Sequence, residues 1–404
     1  MRSVSRLTLS LMLLLVVFSA IGIALLFASK STAKAAQPGA TTTTLVNWDT
    51  FGFNTHHSHF NPSETILNTS NVSQLMLDWT AATGNGIYSS PAVVNGVVYV
   101  GSQDGNLYAF GAHSGKLLWK TAALSGFNSS PAVSHGMVYF GDDNGVIYGL
   151  NAKNGTIVWT YDALNNIYSS PTVVNGIVYV GSADGNLYAL NAQTGAKVWA
   201  AAISTNNYQG VIGVPAVSNG LVYAGTYESK LYALNATTGA TVWTATTGGW
   251  IWSSAAVVDG YVFVGSLDGK LYAFNAKTGK QIWATATQNE IFSSPAVAYG
   301  RVYVGSRDSN IYAFDEKTGK QQWVTPTGTT DFGVASSPAV ANGLLFIGSY
   351  DAKVYALNVT TGAVLWTYTT GNQIYSSPAV ANGILYIGSA DSKLYAFHLP
   401  GTLS

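Results

Sequence analysis

The chain has 404 residues, of which 48% are hydrophobic and only 9% are charged, and its 18 basic residues balance its 18 acidic residues. A chain with zero net charge and so few Lys and Arg residues lacks the dense basic surface that nucleic-acid binding requires, which excludes that class of partner. The chain has no Cys, and this excludes disulfides, thiolate metal ligands, thiol nucleophiles and lipid attachment to an amino-terminal Cys.

The amino terminus has the pattern of an export signal. Arg2 and Arg6 precede an apolar run at residues 7–27, and Ala33-Lys34-Ala35 then offers a small-x-small cleavage site. The apolar run is about 21 residues long, which exceeds the usual core of a signal peptide and is enough to span a bilayer. We therefore predict that residues 1–35 are either a cleaved signal peptide or a retained membrane anchor. Both interpretations place the rest of the chain outside the cytoplasm.

Residues 36–74 are predicted to be a lead-in linker before the first repeat. This segment contains the one local cluster of His residues, formed by His56, His57 and His59. His side chains at such spacing can bind a metal, but no Cys or carboxylate supports them. We therefore expect a solvated loop and no metal site.

Residues 75–400 contain eight copies of one repeat, whose form is visible in residues 89–119 as SSPAVVNGVVYVGSQDGNLYAFGAHSGKLLW. A period of 40 to 44 residues is typical of one blade of a β-propeller. Each copy aligns with one Trp of the following series: Trp79, Trp119, Trp159, Trp199, Trp243, Trp283, Trp323 and Trp366.

Each copy predicts four short strands. SSPAV is the first strand, and a two-residue turn such as Asn95-Gly96 connects it to the second strand, VVYVGS. NLYAF is the third strand and KLLWKTA the fourth. The Pro of SSPAV fits an innermost strand, which we expect to have no neighbour on its channel side. The chain is therefore predicted to be an all-β, eight-bladed β-propeller with four-stranded antiparallel blades.

The last blade lacks a fourth strand of its own. The eighth copy ends after its third strand, near Phe397, whereas Leu75–Ala81 reads as a fourth strand with no blade before it. We predict that this amino-terminal strand completes the last blade and closes the ring, which leaves no open sheet edge at the seam.

These repeats resemble the PQQ-like repeat family over about residues 45–400. The family includes quinoprotein dehydrogenases and the periplasmic propeller subunit of the outer-membrane β-barrel assembly machine. Asn47-Trp48 and the segment at residues 71–75 resemble the lead-in before the first blade of the dehydrogenases. The resemblance implies a propeller fold, but fold and function separate readily.

For the enzymes, the resemblance implies a pyrroloquinoline quinone (PQQ) cofactor. The family holds it between a Trp and a disulfide of adjacent Cys residues, beside a calcium ion bound by acidic and amide side chains and a catalytic Asp. This chain has no Cys and no long insertion between strands. None of the catalytic residues of that family can be placed on it.

Function is expected where the repeats differ. The connectors from each fourth strand into the next first strand should converge at one end of the central channel. Five of the residues directly before the Ser-Ser position are aromatic: Tyr88, Tyr168, Trp252, Phe292 and Tyr375. Neighbouring connectors add three further candidates: Tyr208, Trp250 and Asp331.

Two interpretations of these eight residues remain open. They could form a stacking surface for a ligand at the channel mouth, or they could pack between adjacent blades, which their scaffold-like period favours. Glu290 and Asp331 could form a carboxylate pair for acid–base chemistry, but no pattern brings them together. We assign the acidic residues between the second and third strands to turn chemistry: Asp104, Asp184, Glu228, Asp268, Asp308, Asp351 and Asp391.

The leading hypothesis is a non-catalytic binding or assembly scaffold, extracellular or in the cell envelope, secreted or anchored through residues 7–27. It predicts no cofactor, no metal and no catalytic residue, and a monomer that binds an envelope or extracellular protein, peptide or polymer. The alternative is a PQQ-dependent dehydrogenase that uses PQQ with calcium.

Overall fold

Eight blades of four antiparallel strands make up the fold, and in each blade the strands are hydrogen-bonded in the order first, second, third, fourth. This confirms the predicted eight-bladed β-propeller. The sheet of the seventh blade has a fifth strand, because Phe60–Asn61 pairs parallel with its first strand. The computed structural model describes residues 45–205 and 210–401, which belong to one compact unit. The predicted export segment and Tyr208 lie outside these described residues. Within them, we find no helix with the length and apolar character needed to cross a membrane.

Two short elements precede the repeats, namely the strand β1 (Phe60–Asn61) and a 3-10 helix, η1 (Val72–Gln74). The strands of blades 1 to 4 are β3 (Ala92–Val94), β4 (Val97–Gly101), β5 (Asn106–Gly111) and β6 (Leu117–Ala122); β7 (Ala132–Ser134), β8 (Met137–Gly141), β9 (Val146–Asn151) and β10 (Ile157–Asp162); β11 (Thr172–Val174), β12 (Ile177–Gly181), β13 (Asn186–Asn191) and β14 (Lys197–Ala202); and β15 (Ala216–Ser218), β16 (Leu221–Gly225), β17 (Lys230–Asn235) and β18 (Thr241–Thr246).

The strands of blades 5 to 8 are β19 (Ala256–Val258), β20 (Tyr261–Gly265), β21 (Lys270–Asn275) and β22 (Gln281–Ala286); β23 (Ala296–Ala298), β24 (Arg301–Gly305), β25 (Asn310–Asp315) and β26 (Gln321–Pro326); β27 (Ala339–Ala341), β28 (Leu344–Gly348), β29 (Lys353–Asn358) and β30 (Val364–Thr369); and β31 (Ala379–Ala381), β32 (Ile384–Ser389), β33 (Lys393–His398) and β2 (Met76–Ala82).

The closing strand is β2, which pairs antiparallel with β33 from Met76 opposite His398 to Ala82 opposite Lys393. The amino-terminal part of the propeller therefore supplies the outermost strand of the last blade, as predicted. Because both ends of the repeat array share one sheet, the ring closes through backbone hydrogen bonds.

The repeated Trp residues pack between adjacent blades. The indole Nε1 of Trp119 donates a hydrogen bond of 3.1 Å to the carbonyl oxygen of Ala152 in the next blade. The same ring lies against Gly155, where an added Cβ would lie 2.5 Å from the indole. The repeat therefore needs Gly at this position both for the close approach of the Trp and for its φ of +73°.

The lead-in segment follows the inner wall of the channel instead of forming a solvated loop. Six carbonyl groups between residues 48 and 59 accept hydrogen bonds of 2.7–2.9 Å from the Val N–H groups of innermost strands. The donors of these bonds are Val93, Val133, Val217, Val257, Val297 and Val340. The lead-in contacts blade 3 through His57, whose Nε2 lies 3.0 Å from Thr172 Oγ1. It contacts blade 8 through Asn61, whose side-chain amide donates a hydrogen bond to the Val380 carbonyl.

Two expectations about this segment are wrong. His57 and His59 are almost completely buried, with 0% and 1% of their surface exposed, because the Phe51 ring packs edge to face against both of them and His57 also contacts blade 3. The innermost strands do have a neighbour on their channel side, since the lead-in accepts their N–H groups. Residues 47–61, called the channel ring below, thus contact every blade of the propeller.

Candidate functional site

The channel mouth is the end of the channel at which the connectors enter the first strands, opposite the Asn-Gly turns. A cavity of about 160 Å³ lies at this mouth and touches all eight blades. Phe51 of the channel ring also lines it. The channel ring thus limits the depth of the mouth, while the connectors form its wall.

Five of the predicted site residues line this cavity, and all five are half-buried: Tyr88, Tyr168, Trp252, Phe292 and Tyr375. Trp250 lies at the rim with 46% of its surface exposed. Asp331 is also exposed at the rim, while Tyr208 belongs to the residues that the structure does not describe.

Aromatic side chains from blades 4 to 8 and blade 1 cover one side of the mouth. We call this surface the aromatic arc: Tyr227, Trp250, Trp252, Phe292, Phe332, Tyr350, Tyr375 and Tyr88. In its first part Trp250 stacks on Tyr227 at a centroid distance of 4.0 Å, and Trp252 meets Phe292 edge to face at 5.2 Å.

The second part of the aromatic arc is held by tyrosine contacts. The ring of Tyr375 lies 4.4 Å from that of Tyr350 and 4.5 Å from that of Tyr88, and Phe332 stacks on Tyr350 at 5.2 Å. Burial raises the pKa of Tyr350, and the neighbouring Tyr375 hydroxyl raises it further. Tyr350 therefore stays neutral at physiological pH and keeps its hydroxyl group beside aromatic faces.

An ion pair interrupts the aromatic arc at blade 6. The Arg307 guanidinium binds the Glu290 carboxylate at 2.5 Å, and its Nε donates to the backbone oxygen of Asp331 at 3.0 Å. The same guanidinium lies 4.6 Å from the centre of the Phe332 ring. Glu290 is thus paired with Arg307 and not with the Asp331 carboxylate, which gives no support to an acid–base pair.

The opposite side of the mouth is polar. The Asn128 amide donates to both oxygens of the Asp143 carboxylate, at 3.1 and 2.9 Å. Burial raises the pKa of Asp143, although the bonds from Asn128 lower it in part. Further round, the Asn166 amide donates to the Tyr168 hydroxyl at 2.8 Å. The mouth is therefore asymmetric, with aromatic and polar halves.

A ring of hydroxyl groups lies in the wall of the cavity. We call the second Ser of each Ser-Ser pair the serine ring: Ser90, Ser130, Ser170, Ser254, Ser294, Ser337 and Ser377. Each oxygen accepts a backbone N–H from the preceding blade at 2.8–3.0 Å. Blade 4 carries Val214 at this position, so the bond is missing between Ser170 and Val214.

The acidic turn residues do what the turn pattern predicts. Asp104 Oδ1 accepts the backbone N–H of Asn106, and its Oδ2 accepts the Tyr108 hydroxyl at 2.6 Å and the Gly84 N–H at 2.7 Å. Burial acts to raise the pKa of Asp104, but these hydrogen bonds outweigh it and lower the pKa. Burial and the same carboxylate raise the pKa of Tyr108 to about 12. The carboxylate thus fixes a connector to the blade.

Sequence reasoning missed Tyr227, Arg307, Tyr350 and Asp143. All four occupy the same repeat position, one residue after the Gly-Ser, Gly-Thr or Gly-Asp that ends the second strand. This position varies between blades as much as the one before Ser-Ser does, so the same comparison of repeats could have found it. In the described residues no group of three His, Asp or Glu side chains could hold a metal ion.

The sequence matches the profile of one protein family, that of outer membrane protein assembly factor BamB, at residues 70–250, 228–339 and 325–402. These matches together cover most of the chain. No curated protein matches the sequence.

Solved structures of similar fold include both an assembly factor and enzymes. BamB from Moraxella catarrhalis is 21% identical, with a TM-score of 0.67 over 81% of this chain and 98% of that one. Quinohemoprotein alcohol dehydrogenase ADHIIG from Pseudomonas putida is 18% identical, with a TM-score of 0.75 over 89% and 81%. Quinohemoprotein alcohol dehydrogenase from Comamonas testosteroni is 16% identical, with a TM-score of 0.75 over 88% and 81%. At these identities the likeness concerns the fold alone.

Proposed function

We propose that this chain, which belongs to the family of outer membrane protein assembly factor BamB, is a non-catalytic scaffold that binds a protein partner in the cell envelope. The family match and the export pattern of residues 1–35 support a location outside the cytoplasm. The proposal includes a monomeric propeller, held to the membrane through residues 7–27 or released from it.

The observation that carries the proposal is the composition of the aromatic arc. Trp, Tyr and Arg are the residues that most often supply binding energy at protein interfaces. Here aromatic side chains and Arg307 are collected on one side of the mouth. Trp250 and Phe332 are 46% and 45% exposed, and of the aromatic arc only Tyr350, at 7%, is buried. Side chains that served only to pack blades together would be buried, as the repeated Trp residues largely are.

Recovery of partners from native cell envelopes tests this proposal. We expect wild-type protein to retain a specific partner, and Trp252→Ala and Tyr375→Ala to lose most of it, because both side chains line the mouth. Val158→Ser is the matched control, since Val158 is 52% exposed on the outermost strand of blade 2. Equal recovery by all variants, or only abundant unrelated proteins with each, would contradict the proposal.

A PQQ-dependent dehydrogenase is the second candidate, because the solved structures of similar fold include quinohemoprotein alcohol dehydrogenases. The residues at the mouth do not fit that cofactor. The cavity of about 160 Å³ is smaller than the ~300–1,000 Å³ typical of small-molecule sites, Phe51 limits its depth, and the chain has no Cys pair. We therefore derive no reaction step through PQQ.

A thermal melt with PQQ and calcium separates the two candidates. A ligand that binds the folded state raises its melting temperature. We expect no change at saturating cofactor. A clear rise in melting temperature, together with oxidation of an alcohol, would contradict the scaffold proposal and support the dehydrogenase.

A further inference from the structure

The seven hydroxyl groups of the serine ring share an unused capacity to donate. A Ser hydroxyl has one donor hydrogen and two acceptor lone pairs. Each oxygen of the ring accepts a backbone N–H from the preceding blade, and within the described residues no protein acceptor is found for its hydrogen. These side chains are only 4–8% exposed. What they can still reach is the cavity that they line.

The size and charge of the cavity restrict what can accept these hydrogen bonds. Its volume of about 160 Å³ leaves room for a small polar group and a few water molecules. No Lys or Arg lines it, and Arg307 at the rim is paired with Glu290. A doubly charged phosphate group is usually bound by Arg or Lys. The neutral hydroxyl donors of the serine ring, which converge on a small space, fit a singly charged anion better than a doubly charged phosphate.

We infer that the serine ring binds a carboxylate group of the partner, while the aromatic arc contacts the apolar atoms beside it. This inference rests on the proposed function, because it names the chemical group that the mouth would bind. A hydroxyl that donates to a carboxylate makes a charge-assisted bond, roughly twice as strong as a neutral one. A carboxylate offers about four acceptor sites, so only part of the ring needs to donate at one time.

Blade 4 provides a variant that should improve the site. Val214 faces the cavity where the other blades carry a hydroxyl, and its own backbone N–H donates to Ser254 Oγ. Val214→Ser would add an eighth donor and also supply an acceptor for the N–H of Ser170. This variant does not depend on removing a stabilising bond, so it tests the inference even if a loss-of-function variant fails to fold.

Calorimetric titration of the full chain with small probes tests the inference. The probes are N-acetylphenylalanine, its neutral amide and inorganic phosphate. We expect the acid to bind about tenfold more tightly than the amide or phosphate, Ser254→Ala to weaken it several-fold, and Val214→Ser to strengthen it. The control is Ser253→Ala, because the hydroxyl of Ser253 bonds to Gly265 within its own blade and does not line the cavity.

Three results would overturn the inference. These are equal affinity for the acid and its amide, equal affinity for phosphate and the acid, and no binding of any probe. None of them decides the proposed function, which depends on retention of a whole partner by the aromatic arc. Equal recovery of a partner by wild type and by the aromatic-arc variants, with intact binding of the acid, would instead reject the scaffold and keep the carboxylate site.

Discussion

At the scale of single residues, the aromatic side chains of the mouth differ from those of the scaffold in how far they are covered. Trp243, a repeated Trp, is 9% exposed and its Nε1 donates to the Ala276 carbonyl at 3.0 Å. Trp252 is half-buried, its ring contacts Phe292 and Tyr227, and within the described residues its indole N–H has no hydrogen-bond acceptor. The sequence showed that both recur with the repeat, but it could not show that one is enclosed by two blades and the other lines an opening.

This difference predicts unequal effects of truncation. Trp243→Ala should destabilise the protein by roughly 3–5 kcal/mol, as removal of a buried aromatic does. Trp252→Ala should lower the free energy of unfolding by clearly less, because much of its ring already faces the cavity. Denaturant unfolding of both variants beside wild type measures this. A loss at Trp252 as large as that at Trp243 would mean that the mouth aromatics are packing residues.

The buried His residues predict a dependence of stability on pH. Burial lowers the pKa of His57 to about 3, with smaller contributions from His59 and His56, and burial lowers that of His59 to about 3. In the unfolded chain both return to about 6.5. The unfolded state therefore binds protons first, so stability present above pH 6.5 is lost as the pH falls towards 3.

Unfolding free energies measured between about pH 7 and pH 5 test this dependence, since ordinary carboxylates remain ionised over most of that range. We expect the free energy of unfolding to decrease as the pH is lowered. This dependence on pH should be weaker in His57→Gln, because the substitution removes one of the titrating groups. A flat profile in wild type would contradict the burial of these two side chains.

At the scale of elements, the channel ring is the feature that sequence reasoning described least well. The strands follow from hydrophobic alternation and Asn-Gly turns, and both recur eight times. The channel ring occurs once and has no strand-like alternation. Its shape depends on hydrogen bonds to eight different blades and on left-handed backbone at Gly52, Phe53, His57 and His59, with φ from +52° to +75°. No local pattern specifies such contacts.

Gly52 allows the clearest test of the channel ring. Its φ is +75°, and an added Cβ would lie 2.9 Å from His59 Nε2 and 3.0 Å from the backbone of His57. Gly96, in a hairpin turn, has a similar φ of +78° but open space around it. Gly96→Ala should cost about 1–2 kcal/mol for the left-handed backbone alone, and Gly52→Ala should cost more. Thermal melts giving equal losses would show that the channel ring is not tightly packed.

At the scale of the whole molecule, the closure of the ring could be predicted because it depends only on counting strands. The structure confirms it through the pairing of β2 with β33. The mouth could be predicted only in part. The connectors identified five residues around one cavity, but the serine ring and the second set of mouth residues became visible only when eight blades were brought round one axis.

Closure predicts different results for two truncations. Deletion of residues 1–81 removes the outermost strand of blade 8 together with the channel ring, so we expect aggregation or loss of cooperative unfolding. Deletion of residues 1–35 removes only the predicted export segment and should leave a soluble, folded protein. Calorimetry of both proteins decides this. A sharp melt after the longer deletion would show that closure is not required for folding.

The central claim, that the channel mouth is the surface that binds a protein partner, is tested most directly by photo-crosslinking in the native cell envelope. One crosslinking residue would replace Asn128, which is exposed at the mouth, and another would replace His135, which is exposed in a turn at the opposite end of the channel. We predict one discrete protein adduct from position 128 that is absent from position 135. An adduct from position 135 alone, or none from position 128 while the protein is folded, would contradict the claim.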